Sequence, residues 1–75
     1  MIVSPRSVIL FFSSNHAIWA ARVLAANGTA AKLVPTPKQL SSECGHAVEV
    51  AAVDAPRATE ALATRGVPFD RVAEL

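Results

Sequence analysis

The sequence has few of the features that stabilise or direct many small proteins. It contains one cysteine and no tyrosine among 75 residues, and charged residues make up 17%. One cysteine cannot form a disulfide within this sequence, so we expect a fold held by packing alone, as in a reducing compartment. The longest apolar run near the N-terminus, Val8–Phe12, is too short for a signal-peptide core or a membrane span. We therefore predict a soluble, cytoplasmic protein.

The absence of other sequence features makes several classes of function less plausible. There is no cluster of lysine and arginine and no set of aromatic residues for base stacking, and the formal net charge is +1, so we expect no nucleic-acid partner. No glycine-rich phosphate loop, carboxylate pair or Ser/His/Asp set is present, so we expect no cofactor. A chain of this length forms one domain, 1–75, with little room for an enclosed active site. It is more typical of a non-enzymatic protein than of a turnover enzyme.

Apolar segments and turn signals alternate along the chain. Val8–Phe12 is apolar on both faces, which predicts a central strand. A helix should follow over His16–Ala26, capped by Ser14 or Asn15 and stopped at Asn27–Gly28. The remaining predicted elements are strands over Ala30–Val34, Ala47–Val53 and Phe69–Leu75, and a helix that begins at a capping Asp54 and ends at Arg65–Gly66.

The element order β-α-β-β-α-β is typical of the ferredoxin-like α+β fold, an antiparallel four-stranded sheet with both helices on one face. In that topology one end of the sheet collects three segments of the chain. They are the turn 13–16, the connection 35–45 and the turn 65–68. The connection is about twice as long as an ordinary hairpin loop, and long loops in compact domains are often functional.

Cys44 lies in this connection, among turn-forming and hydroxyl-bearing residues. Lys38, His46, Arg65 and the amides at the start of the first helix are candidate stabilisers of a thiolate there, and they would lower the pKa of the thiol. The alternative is a half-buried cysteine that fills the loop without reacting. We expect the neighbouring Glu43 to face solvent, because a carboxylate turned toward the sulfur would raise its pKa.

A metal site is a weaker hypothesis. Cys44 with His16 and His46 would offer ligands suited to zinc or copper, but the two histidines have no diagnostic spacing. His16, at a helix start, is more typical of a solvated residue, and Trp19 of a residue that packs or faces a partner. We therefore predict no bound metal.

A family resemblance appears around the cysteine. The residues that carry it are, in the loop, Pro35, Pro37, Lys38, Ser41, Ser42, Cys44 and Gly45, and, before the first helix, Phe12, Ser13, Ser14 and Ala17. Together they resemble the small bacterial selenium/sulfur carrier-like proteins, and the likeness covers nearly the whole chain. The Ser-Ser-x-Cys-Gly run after a Pro-x-Pro turn is its most specific part.

The resemblance implies that Cys44 carries sulfur or selenium between a donor enzyme and an acceptor protein. We expect the binding residues around it to be Ser13, Ser14, Lys38, Ser41, Ser42, Gly45 and His46. The chain departs from the family pattern at Lys38, where arginine is common, and at His46, where an apolar residue is common. Lysine keeps the charge but loses the planar fork of arginine.

Two alternatives stay open from the sequence. The domain could be a non-catalytic regulatory or protein-interaction module with Cys44 incidental, since ferredoxin-like folds support many functions. It could also form a homodimer.

Overall fold

The computed structural model describes residues 5–38 and 45–74. They form one four-stranded sheet and two α-helices, in the predicted order β-α-β-β-α-β. The elements are β1 (Arg6–Leu10), α1 (Ser14–Ala26), β2 (Ala31–Pro35), β3 (His46–Ala51), α2 (Ala55–Thr64) and β4 (Arg71–Glu74), with a short 3₁₀ helix over Ala52–Asp54 before α2.

The sheet has the strand order β2-β3-β1-β4, and every neighbouring pair is antiparallel. This confirms the ferredoxin-like fold. The register brings Leu10 opposite Ala47 and Arg71, and Pro35 opposite His46. At one end of the sheet, β1 and β2 stop and β3 and β4 start. We call this end of the sheet the loop end.

The central position of β1 explains why its residues are apolar on both faces. Ile9 faces the helices and belongs to a buried cluster with residues of α1 and α2. Val8 and Leu10 point to the opposite face and form a second buried cluster with Ala47, although no described helix lies there. The sequence pattern therefore identified a strand buried on both sides, as expected for the centre of a sheet.

One face of α1 packs into the core. Ala17, Ala20, Val23 and Leu24 are buried in the main cluster, with Ala21 packed beside them. The predicted start of the helix was wrong, because Ser13 caps it: its Oγ accepts a hydrogen bond from the His16 N–H at 3.3 Å. The helix therefore begins two residues earlier than expected and includes Ser14 and Asn15.

Both helices end at the predicted glycines. Gly28 and Gly66 each have φ of +75°, the left-handed conformation that favours glycine. The residue after each glycine donates its N–H to a carbonyl in the last turn, from Thr29 to Leu24 and from Val67 to Leu62, both at 2.9 Å. Each glycine also donates its own N–H, from Gly28 to Ala25 at 3.1 Å and from Gly66 to Ala63 at 3.2 Å. The two hydrogen bonds at each helix end form a Schellman motif, which satisfies carbonyls that the helix leaves unpaired.

The third strand and the second helix depart from the prediction. The strand ends at Ala51, because the chain enters the 3₁₀ helix there, and Ala52 donates its N–H to the Pro5 carbonyl at 3.0 Å. Asp54 does not cap α2 with its side chain, since its Oδ1 accepts a hydrogen bond from Arg57 at 2.8 Å instead. Pro56 does lie in the first turn of α2, as expected.

The other three strands also begin or end at residues that differ from the prediction. The first strand ends at Leu10, so Phe11 is buried just beyond it and Phe12 is 62% exposed. Pairing in β2 extends one residue further than predicted, to Pro35, which an edge strand tolerates because proline lacks only the donor. The last strand begins at Arg71, while Phe69 packs against the core before it.

Candidate functional site

Three described segments meet at the loop end of the sheet, as the topology predicted. The first is the start of α1, which follows β1. The second is the base of the connection between β2 and β3, where Thr36 donates its N–H to the Gly45 carbonyl at 3.2 Å. The third is the segment 65–70, which leads into β4, and Asp70 donates its N–H to the Leu10 carbonyl at 2.6 Å.

The start of α1 lies at this end of the sheet. The first N–H groups of a helix have no partner within it, and together with the helix dipole they favour a nearby anion. Ser13 satisfies one of them, through the His16 N–H. The first turn contains no acidic side chain to neutralise the rest of the positive end. The site is therefore electrostatically suited to an anion such as a thiolate.

A side-chain contact joins this helix start to the beginning of β3. His46 Nδ1 lies 3.2 Å from Ser14 Oγ, across 32 residues of sequence, and both side chains are at the surface. Two residues that the sequence proposed separately as site residues are thus brought together.

Gly45 lies against the same serine. A Cβ at this position would be 3.3 Å from Ser14 Oγ, closer than most side-chain contacts in proteins. The absence of a side chain therefore allows the start of β3 to approach α1. Its carbonyl also closes the connection through Thr36.

The remaining predicted site residues have different outcomes. Lys38 is exposed in a turn after β2, the last residue before the gap in the described chain. Ser41, Ser42 and Cys44, together with Glu43, lie outside the described residues. The expectations for these four residues stay predictions.

Arg65, which the sequence proposed as a stabiliser of the thiolate, is the first residue of the third segment and also lines a groove on the helices. This open groove of about 420 Å³ lies on the helix layer, with Asn27 at the far end of α1 and Arg57 and Glu60 on α2. Because Cys44 lies outside the described residues, the role of Arg65 beside the thiolate stays a prediction.

The described residues contain no group of three histidine, cysteine or acidic side chains that could hold a metal ion. His16 and His46 both lie near the start of α1. The Nδ1 atom of His16 is buried and has no hydrogen-bond partner within the described part of the chain. No helix within 5–38 or 45–74 is long and apolar enough to cross a bilayer.

Phe12 is a surface feature that sequence reasoning missed. The sequence placed it in the buried strand, yet it is exposed directly before the capping Ser13. Its exposure follows from its position two residues after the last paired residue of β1. The sequence alone shows no sign of this position, because only the register of the sheet shows where pairing ends. It gives the loop end an exposed aromatic side chain.

Comparison with known families shows which family the chain belongs to. The model of the family described as "Putative Se/S carrier protein-like" matches residues 6–74. The chain belongs to this family. The match extends from the first residue of β1 to the last of β4, so it includes every element described above. No curated protein and no solved structure matches the chain.

Proposed function

We propose that this member of the family carries sulfur or selenium on Cys44, as a persulfide or a selenosulfide, between a donor enzyme and an acceptor protein. The observation that carries the proposal is the family match over 6–74, since the family is described as selenium or sulfur carriers. Cys44 is the only thiol in the chain, so it is the one side chain that can form such an adduct.

The geometry of the loop end supports this role. Cys44 directly precedes Gly45, where a Cβ would lie 3.3 Å from Ser14 Oγ at the start of α1. Proximity to the free amides of that helix would stabilise the thiolate and lower the pKa of the thiol below about 8.5, its value in an unperturbed cysteine. The thiolate is the form that attacks a sulfur atom.

The transfer balances without an added oxidant or reductant. The Cys44 thiolate attacks the outer sulfur, or selenium, of a persulfide or selenosulfide on the donor. A bond forms from Cys44 Sγ to that atom, the bond to the donor sulfur breaks, and the donor leaves as a thiolate. An acceptor thiolate then repeats the step on Cys44. The exposed Phe12 offers both partner proteins an apolar contact at the same end.

Intact mass spectrometry tests the proposal directly. The protein is incubated with a cysteine desulfurase and either cysteine or selenocysteine, and its mass is measured before and after treatment with a thiol reductant. We expect the mass of one sulfur or one selenium atom, removed by the reductant. Because no other thiol is present, Cys44→Ser is a complete negative control. Equal labelling of the wild type and this variant, or no labelling of either, would overturn the proposal.

Alkylation separates the carrier from a regulatory module in which the cysteine is incidental. A carrier thiol should react with iodoacetamide at neutral pH faster than a free cysteine analogue, because a larger fraction of it is ionised. A slower reaction would favour the interaction module.

A further inference from the structure

The charged residues are distributed unevenly along the chain. Residues 12–38 contain no acidic residue, whereas they contain three cations, Arg22, Lys32 and Lys38. All six acidic residues of the chain lie later, from Glu43 onward. Within the described ranges none of these three cations forms an ion pair, whereas three of the four other cations each pair with a carboxylate. The unpaired positive charge is therefore concentrated in one part of the chain.

This part of the chain forms one side of the molecule. β2 is an edge strand, and α1 packs against both β2 and β3. On its other side, α1 contributes Asn27 to the groove shared with α2. Ile18 precedes Asn27 by nine residues, about two and a half turns of helix. It therefore lies on the side of α1 that faces away from α2, toward the β2 edge.

The same side of the molecule exposes large apolar side chains. Ile18 and Trp19 on α1 are 39% and 44% exposed, and Leu33 on β2 is 39% exposed. Leu33 lies opposite Val48 of the helix-side cluster, so its side chain also faces the helices. Arg22 follows these two α1 residues by four and three positions, spacings that bring helix side chains together. We call Ile18, Trp19, Arg22, Lys32 and Leu33 the α1–β2 surface.

Two properties of the α1–β2 surface match a protein partner that is acidic. Tryptophan and arginine are enriched among the residues that contribute most to protein interfaces. Unpaired cations beside them attract acidic side chains and disfavour basic ones. A second copy of the chain would place cations against cations on this side, so the charge favours a different protein.

We propose that the α1–β2 surface docks the donor enzyme, through a patch of acidic residues around an apolar recess on that enzyme. This inference rests on the proposed carrier function and adds to it the surface used and the charge of the partner. A carrier has to bind and release its partner in each cycle. Complementary charge suits this task, because it speeds the encounter of two proteins without requiring tight binding.

Calorimetric titration tests the docking surface, with a cysteine desulfurase as the probe. Affinity for the enzyme is measured for the wild type, Trp19→Ala, Arg22→Glu and Lys32→Glu, at low and at high salt. We expect Trp19→Ala to weaken binding about tenfold or more, as for a tryptophan at the centre of an interface. Each charge reversal should weaken binding about three- to tenfold at low salt and less at high salt, because salt screens the attraction.

Arg57→Glu is the matched control, because it makes the same change in net charge at an exposed residue of α2. Its affinity should stay within about twofold of the wild type at high salt. Thermal melting of each variant reports whether the fold is intact, and if Trp19→Ala melts early the two charge reversals decide. Equal losses in Arg57→Glu and Arg22→Glu, or wild-type affinity in both charge reversals, would overturn the α1–β2 surface. Tighter binding of a short single-stranded RNA or of phosphatidylserine vesicles than of the desulfurase would overturn it as well.

Loading from a small molecule separates this inference from the proposed function. Glutathione persulfide can give its outer sulfur to the Cys44 thiolate and leave as glutathione thiolate, with no protein to dock. By intact mass spectrometry, we expect Arg22→Glu to load from glutathione persulfide at the wild-type rate and from the desulfurase more slowly. Equal rates from the desulfurase would overturn the docking surface alone. A wild-type protein that takes up neither sulfur nor selenium from any of these donors would overturn the carrier function itself.

Discussion

Phe11 shows how much a single side chain contributes to a core of this size. It is 2% exposed and packs in the helix-side cluster, one residue beyond β1. A domain of 75 residues has a small stability margin, so the loss of one large apolar side chain is a substantial fraction of it.

We expect Phe11→Ala to lower the free energy of unfolding by about 3–5 kcal/mol, from lost burial and the cavity left behind. Cys44→Ser should cost far less, because a carrier thiol has to be reachable by its partners. Urea unfolding of both variants measures the difference. If Cys44→Ser lowers the free energy of unfolding more than Phe11→Ala does, Cys44 is a packing residue and the carrier function loses its main support.

Lys38 is the second residue whose role can be measured. It is exposed at the loop end and is the nearest described cation on the β2 side of the connection that carries Cys44. Removing a cation near a thiolate raises the pKa of the thiol. A loop lysine buries little, so the fold should not change.

We therefore expect Lys38→Ala to slow alkylation of Cys44 at neutral pH and to shift its pH profile upward. Lys32→Ala is the matched control, because Lys32 is exposed within β2 and away from the connection. The alkylation rate of each variant is measured by quenching the reaction at intervals and analysing the protein by mass spectrometry. Equal small effects from the two variants would show that Lys38 does not tune the thiol.

At the scale of the elements, two glycines define where the helices end. Gly28 and Gly66 have the same φ of +75°, and a Cβ at either position would meet no atom within 4 Å. The cost of a side chain there is therefore conformational and not steric. Gly45 is the opposite case, since its Cβ would crowd Ser14 Oγ.

We expect Gly28→Ala and Gly66→Ala each to lower the free energy of unfolding by about 1–2 kcal/mol, the cost of the left-handed conformation for a residue with a Cβ. Thr64→Ala, at the exposed last residue of α2, should change it by less than about 0.5 kcal/mol. Thermal melts compare the three variants. Unchanged stability in both glycine variants would contradict the assignment of Schellman motifs.

At the scale of the whole molecule, the centre of the sheet is buried on both faces. The helices cover one face, and the cluster of Val8, Leu10 and Ala47 lies on the other. The same face carries a surface ion pair, in which Arg6 Nε lies 2.9 Å from Glu49 Oε1. The two features should differ greatly in their contribution to stability, because exposed ion pairs are screened by water.

We expect Leu10→Ala to lower the free energy of unfolding by about 2–5 kcal/mol, as in a helix-covered core. Arg6→Ala, on the same face, should lower it by less than about 1 kcal/mol. Chemical denaturation of both variants gives the comparison. A cost for Leu10→Ala as small as that for Arg6→Ala would show that this face contributes little to the fold.

The sequence by itself determined the order of the elements, the central position of β1 and the ends of both helices. These depend on local properties: apolar residues on both faces of a strand, a stripe of alanine and leucine on a helix, and glycine where the backbone must be left-handed. Each property acts over a few neighbouring residues, so it can be seen without the fold. Recognition of the family also needed only the sequence, and the family match over residues 6–74 confirms the family.

Only the tertiary structure decided which residues meet. The capping of α1 by Ser13, the exposure of Phe12 and the hydrogen bond of Asp54 with Arg57 in place of a helix cap follow from how the chain folds. The contact of Ser14 with His46 spans 32 residues and exists because β1 and β3 are neighbours in the sheet. No local pattern contains that pairing, since it depends on the free energy of the whole core.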